Sequence, residues 1–499
     1  MSKPVKIFDL SMDKWMGGLS RQSSIMVDGL FSSSSNFDPF EISGMMQCSL
    51  ASTKASDLDI TVTPTTINSF QKSGVGYLYV HSPTKLYEVL DGSPYTTVDK
   101  TANISAASSV RGSIIFNGYY VYSLSNTVRA RIVPVTSGSD VQILSLATDG
   151  TWHPFCVGAD GNLYIGDYGV VGKITKSLAA GEGVLGTTGN VGTAVALESG
   201  MYVRDLVNDG RYLVIIADNN PSGDYNNTGG STPPVPVNGN YRCQVLFWDM
   251  IKSTFDQRFE FNDSYLIGAK ILDGGIYVFG GDNLYVCNIS TPPKAIFNFR
   301  SPSTITEKPQ TPYQIIRSKN SIYWCGQSNA VIYAYGSLFP GMKKIFYQPF
   351  NSTHTPSTLG FNGSKFYIGT SGTDNFLQVS DTGTTRNTGS VITAPILLPQ
   401  PYKIAYVKVI MRNLFASGDS INVYMSSQNA NEEVLSSNSQ TFTQVGSRQV
   451  IIFDKHLPGG AHTSEADVFE DFQLTVISNK AVAKVEVWAT PVDSQTQTI

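Results

Sequence analysis

Asp160-Gly161-Asn162-Leu163-Tyr164-Ile165 reads as a glycine turn followed by an alternating, aromatic strand. The phrase returns along the chain as Asn117-Gly118-Tyr119-Tyr120-Val121-Tyr122, Asp209-Gly210-Arg211-Tyr212-Leu213-Val214 and Asp273-Gly274-Gly275-Ile276-Tyr277-Val278. Looser copies are Gly76-Tyr77-Leu78-Tyr79-Val80, Asn320-Ser321-Ile322-Tyr323-Trp324 and Asn362-Gly363-Ser364-Lys365-Phe366-Tyr367-Ile368. Tyr79 to Tyr120 is 41 residues, Tyr120 to Tyr164 is 44, Tyr164 to Leu213 is 49, Leu213 to Tyr277 is 64, Tyr277 to Tyr323 is 46 and Tyr323 to Tyr367 is 44. A four-stranded blade takes about 40–50 residues, so the period predicts a β-propeller of about seven blades over residues 66–395. The recurring tyrosines are expected at equivalent inner-strand positions.

The long spacing contains a segment, Asp218 to Tyr241, dominated by Pro, Gly, Asn and Ser and carrying Tyr225. Such composition opposes regular pairing, so a projecting loop is expected there. Residues 396–499 change character. Ile421-Asn422-Val423-Tyr424-Met425 and Lys484-Val485-Glu486-Val487-Trp488 alternate between Ser/Asn/Gly turns, which predicts a β-sandwich. Residues 1–65 lie outside the repeat. The Ser32–Ser35 run and the scattered anchors Trp15, Met16, Phe37, Phe40, Met45 and Met46 suggest an extended arm lying on its own propeller or on a neighbouring subunit. The expected class is all-β.

Composition narrows the function classes. Charged residues are 15% of the chain and the net charge is −4, with no Lys/Arg-rich run. Sequence-specific nucleic-acid binding is not expected, although DNA could pass a neutral pore. The N-terminus has no apolar signal region, and no apolar run is long enough to span a bilayer. The five cysteines, Cys48, Cys156, Cys243, Cys287 and Cys325, are odd in number and lack Cys-x-x-Cys spacing. Free thiols in a reducing cytoplasm are expected.

Candidate chemistry is sparse. His456 and His462 lie near Glu465 and Asp467, but Pro458-Gly459-Gly460 reads as a turn and the spacing fits no zinc motif. Asp218 to Asp224 lacks the calcium-loop pattern, and Gly181-Glu182-Gly183 opens no helix to cradle a phosphate. Carboxylates and an arginine for an axial hydrolase site would come from Asp149, Asp160, Asp167, Arg204, Asp205, Asp209 and Asp273. Four of these precede glycine, where Asp is favoured for turn geometry alone. No cofactor, metal or catalytic residue is therefore expected.

Asp160 to Gly169 resembles a blade phrase of NHL-type propellers. The arm motif Asn36-Phe37-Asp38-Pro39-Phe40-Glu41-Ile42-Ser43-Gly44-Met45, followed by degenerate blades and a closing sandwich, resembles the propeller-bearing tail hub, nozzle or ring proteins of short-tailed bacteriophages. That resemblance implies a virion structural protein made in the host cytoplasm. It also implies a homo-oligomeric ring, commonly of six copies, around the DNA channel, with contacts to a portal-side adaptor and tail fibres. It brings no catalytic residues. The competing class is a glycan-binding or glycan-hydrolysing propeller, whose aromatic loops would stack on sugars.

Overall fold

The computed structural model describes residues 3–10, 18–19, 30–38, 47–48, 52–53, 60–91, 96–104, 110–135, 139–146, 152–174, 189–190, 193–220, 242–299, 308–318, 320–326, 331–337, 345–351, 355–362, 365–371, 376–379, 388–393, 395–411, 419–427, 432–441, 450–454 and 469–492. The chain divides into two compact units: residues 52–331 with 352–381, and residues 1–51 with 332–351 and 382–499.

Seven sheets form a propeller, most of it in the first unit; the last two strands of the sixth sheet, Val331–Gly336 and Ile345–Asn351, are grouped almost wholly with the second unit. These sheets have four antiparallel strands each, except that blade two gains a fifth, parallel strand at Gly189–Asn190. The first strands of the blades are Thr66–Lys72, Gly112–Phe116, Phe155–Val157, Tyr202–Asn208, Leu266–Leu272, Ile315–Ser318 and Thr355–Asn362. Each neighbours the next in cyclic order, and the seventh returns to the first, so these strands line the axis. Ring closure uses a distant segment. Ser52–Thr53 pairs with Phe376–Val379 as the outermost strand of blade seven.

The repeated phrase forms the first turn and second strand of each blade, one strand out from the axis rather than on it. Ser73-Gly74, Asn117-Gly118 and Asp273-Gly274 have positive φ at both residues, the type I′ geometry that matches strand twist. The second strands are buried on both faces because each lies between two blades. In Leu213–Asp218, Leu213 and Ile215 join the core shared with blade three, while Val214 and Ile216 join the core shared with blade five. This is period-2 alternation with both faces apolar, as a doubly covered strand requires.

The alternation corrects the expected register. Tyr79, Tyr164 and Tyr367 point toward the following blade. Tyr323 does the same, its ring 5.5 Å from Phe366. Tyr277 follows, since Ile276 and Val278 pack back on blade four. Tyr120 does not. It points back to blade one and stacks on Tyr79 at 5.4 Å, leaving Val121 as the equivalent residue. Leu213 is displaced in the same sense, with Val214 equivalent. A one-residue slip exchanges the faces.

Glycine permits the closest approach between blades two and three. A methyl on Gly112 would lie 2.2 Å from the His153 carbonyl oxygen and 2.8 Å from the Tyr313 hydroxyl. Gly112→Ala is therefore expected to lower propeller stability by roughly 1–3 kcal/mol. Urea unfolding would show it, and an unchanged midpoint would contradict the close packing.

The second unit is a sandwich built from both ends of the chain. Val5–Leu10 pairs antiparallel with Val482–Pro491, which pairs with the long strand Ile396–Met411 and through it with Val450–Asp454. The other layer holds Leu30–Ser35, Gly389–Thr393, Phe469–Ser478, Ser420–Ser427 and Glu432–Thr441, and Ile396–Met411 also pairs with Phe469–Ser478, so the two layers are one continuous sheet. Inward residues of both layers, among them Val407, Val409, Val423, Val476, Val485 and Val487, share one core. Phe8 and Leu10 belong to that core, with Phe8 set edge-on to Phe472 at 5.6 Å.

The N-terminal segment thus differs from a simple extended arm over residues 1–65, and the sandwich reaches beyond residues 396–499. Residues 5–10 and 30–35 are sandwich strands, as is Gly389–Thr393. Phe37 lies on the short strand Phe37–Asp38, paired with Gln47–Cys48. Trp15, Phe40, Met45 and Met46 lie outside the described residues.

Candidate functional site

Antiparallel order sorts the connections of the propeller onto two ends. The first-to-second strand turns open at one end. The second-to-third connections and the blade-to-blade crossovers open at the other, here termed the crossover end.

The carboxylates that could have formed a hydrolase site are divided between these ends. Asp160, Asp209 and Asp273 sit in turns at the first end. Asp209 accepts the backbone N–H of Arg211 at 2.8 Å and of Tyr212 at 2.6 Å, an Asx-type turn. Asp160 accepts from Asn162 N–H at 3.0 Å and Tyr164 Oη at 2.8 Å, with Lys173 at 3.1 Å. Burial pushes its carboxyl pKa up, but these donors outweigh it and hold the group down at about 2. Asp149 lies outside the described residues, as do His456, His462, Glu465 and Asp467.

Asp167, Arg204, Asp205 and Asp218 lie at the crossover end or next to it. Asp205 accepts Leu206 N–H at 2.9 Å and, across the blade boundary, Ala269 N–H at 2.8 Å. Asp218 was expected to open a projecting loop. It is instead the last residue of the second strand of blade four and is 1% exposed. Its Oδ1 accepts two bonds from Arg204, at 2.9 and 2.7 Å, and its Oδ2 accepts Leu266 N–H of blade five at 2.7 Å. The reason is tertiary: a carboxylate at that strand end meets the backbone N–H that opens the next blade. Residues 221–241, including Tyr225 and Tyr241, lie outside the described residues.

The axis is filled. The 3-10 turn Pro312–Gln314 precedes the first strand of blade six, and its Tyr313 reaches across the centre. The Tyr313 hydroxyl accepts Ser113 N–H of blade two at 3.1 Å, and the ring lies 5.0 Å from Trp152 at the start of blade three. The Tyr313 carbonyl accepts the Thr358 hydroxyl of blade seven at 2.9 Å. A methyl on Gly268 of blade five would lie 3.1 Å from Pro312 Cβ. Contacts to blades two, three, five and seven from one turn place it on the axis, so no polymer threads the propeller itself. Burial drives the Tyr313 hydroxyl pKa well above the ordinary phenol range.

Sequence reasoning passed over a polar patch at the crossover end of blades one to three. His81 is fully buried, with Nδ1 2.8 Å from the Tyr120 hydroxyl and no partner on Nε2. His153 is also fully buried and has no partner on either ring nitrogen. Burial holds His81 neutral, with its pKa down at about 3. Burial likewise lowers His153 to about 4; the Asp167 charge opposes that shift and the Arg111 charge adds to it. Only the packing around the axis brings these residues together.

The cysteines described with their side chains, Cys156, Cys243, Cys287 and Cys325, are free thiols, Cys156 being half-buried. Burial pushes Cys156 and Cys287 up to about 12, so neither thiol ionises near neutrality. Among the described residues no group of three or more His, Cys, Asp or Glu is placed to hold a metal ion, and no helix is long and apolar enough to cross a membrane.

No protein-family model matches the chain, and no curated protein matches it. Among solved structures, a catalytically inactive virginiamycin B lyase from Staphylococcus aureus, crystallised with quinupristin, is 12% identical. It covers 66% of this chain and 97% of its own, with a TM-score of 0.43. The Dos1 propeller is 10% identical over 68% of this chain and 96% of its own, at 0.39. BamB from Moraxella catarrhalis is 10% identical over 76% and 97%, at 0.37. These likenesses concern architecture alone, and the seven-bladed assignment stands on the chain's own strand order.

Proposed function

We propose that the chain is a structural subunit of a bacteriophage tail, a hub, nozzle or ring protein without enzymatic activity. In this reading about six copies surround the DNA channel and dock to a portal-side adaptor and to fibres, and the protein resides in the virion after synthesis in the host cytoplasm. The supporting observation is how the polar groups of the propeller are used. Asp205 and Asp218 hold blade five to blade four, and Tyr313 closes the axis. Such a propeller is a rigid block suited to carry load between neighbours. With the axis filled, a DNA channel belongs between copies. The low charge content of 15% and the abundant Ser, Thr, Asn and Tyr suit large subunit interfaces.

Electron microscopy of the purified full chain is expected to show closed rings with a central opening. A protein that stays monomeric at micromolar concentration and cleaves a glycan would sink the proposal. The arm is best tested by replacing Trp15, Phe40, Met45 and Met46 with serine. Deleting residues 1–50 would also strip Val5–Leu10 and Leu30–Ser35 from the sandwich. The serine variant is expected to fall from ring to monomer with an unchanged unfolding transition. Retained rings would remove the arm from the interface.

A further inference from the structure

We propose that the crossover end of blades one to three holds a small oxyanion, a carboxylate or phosphate group, between Arg111, Trp152 and His153. The residues adjoin through their backbones. Arg111 N–H donates to the Ser123 carbonyl at 2.8 Å, and His153 N–H donates to the Arg111 carbonyl at 3.0 Å. Ser123, Arg111 and His153 are therefore joined backbone to backbone, and Trp152 precedes His153 in the chain. Every one of these four residues carries a buried side-chain polar atom with no hydrogen-bond partner: Ser123 Oγ, Arg111 Nε and Nη1, Trp152 Nε1, and both nitrogens of His153. The His81 Nε2 atom is in the same condition, its ring 5.3 Å from that of Tyr122, the residue before Ser123.

The contrast within one propeller gives the patch its meaning. At the same end of blades four and five, Arg204, Asp205, Asp218 and Asp263 are bonded to each other, to backbone or to neighbouring side chains. Buried polar groups are paired in nearly all native structures, and a cluster of orphans on adjoining residues calls for an occupant. The orphans also set its chemistry. Arg111 Nε and Nη1 and Trp152 Nε1 donate only, and each neutral imidazole offers one donor and one acceptor. The fixed positive charge is that of Arg111, which His153 feels together with the opposing charge of the buried Asp167. A small group rich in acceptor oxygens and bearing negative charge fits this set, and a cation or a bare sugar hydroxyl does not. The site is independent of the tail proposal, because either an assembled or a monomeric propeller could carry it.

The test uses the full chain labelled with 15N at tryptophan, which carries five indoles. Inorganic phosphate and acetate are titrated separately while the indole N–H resonances are followed, and Trp152→Phe assigns the Trp152 signal. The expected result is a saturable shift of that resonance with at least one probe, and the preferred probe separates phosphate from carboxylate. Arg111→Met is expected to weaken the binding by about tenfold or more, with Arg111→Lys between the two. No saturable shift in the unmodified chain would overturn the site, whatever the variants do. An equal affinity in Arg111→Met would remove the anion from it.

Discussion

Asp218→Ala is expected to lower the unfolding free energy of the propeller by about 3–5 kcal/mol. Both partners of the Arg204–Asp218 pair are buried, with side chains 3% and 1% exposed. Removing the carboxylate leaves the Arg204 guanidinium without its counter-charge in a site that water does not reach, and also leaves Leu266 N–H and Asn220 N–H without their acceptor. The buried cation that loses its carboxylate is the largest of these costs. An Arg204→Met/Asp218→Leu double variant should therefore recover a large part of the loss, because an apolar pair needs no compensation. It should not recover all of it, since the Asp218 bonds to Leu266 N–H and Asn220 N–H are still lost. Guanidinium unfolding of the three proteins decides the matter. A single substitution costing under about 1 kcal/mol would show the pair to be solvated, as surface pairs are.

Tyr313→Ala is expected to cost about 3 kcal/mol, the low end of the range for deleting a core aromatic side chain, because the residue is only partly buried. The ring bridges from the turn before blade six to Ser113 of blade two and Trp152 of blade three, so its loss leaves a gap between strands held in place by their own sheets. Tyr313→Phe keeps the ring and removes only the acceptor for Ser113 N–H, for an expected loss of about 1–2 kcal/mol. Urea unfolding followed by near-ultraviolet circular dichroism separates the two. Equal losses would mean that the hydroxyl, rather than the filled axis, carries the effect.

The repeat was legible because a turn with glycine and a strand with alternating apolar residues recur at a blade's length, and both signals are local. The register of blade two was not. Tyr119, Tyr120 and Tyr122 offer aromatic residues on both faces of one strand, and only the neighbouring blades decide which face meets which core. Val5–Leu10 was hidden by its bulge. The register shifts between Lys6 and Phe8, so the inward residues Phe8 and Leu10 follow a broken alternation. Asp218 beside Asn219-Asn220-Pro221 carries the composition of a loop. Its partners are Arg204, 14 residues earlier, and Leu266, 48 residues later. The patch around Arg111 and His153 left no sequence signal, because Arg111 and Ser123 of blade two meet Trp152-His153 of blade three only where the two blades adjoin.

Ser52–Thr53 completing blade seven, and Val5–Leu10 completing a sandwich sheet, also set an order of events during synthesis. Thr53 waits for Gln378, and Val5 waits for Ala489. Asn36 likewise donates to the Thr388 carbonyl, 352 residues away. At about 5–20 residues per second, the ribosome finishes nearly the whole chain before its first strands find their places. Blades one to six can form by local hairpins as they emerge, whereas both closures are long-range contacts and come last. The propeller therefore stays open until Phe376–Val379 has emerged, and Val5–Leu10 waits longer still, for Val482–Pro491. A chain cut before Phe376–Val379 lacks the partner of Ser52–Thr53, and one cut before Val482–Pro491 lacks that of Val5–Leu10.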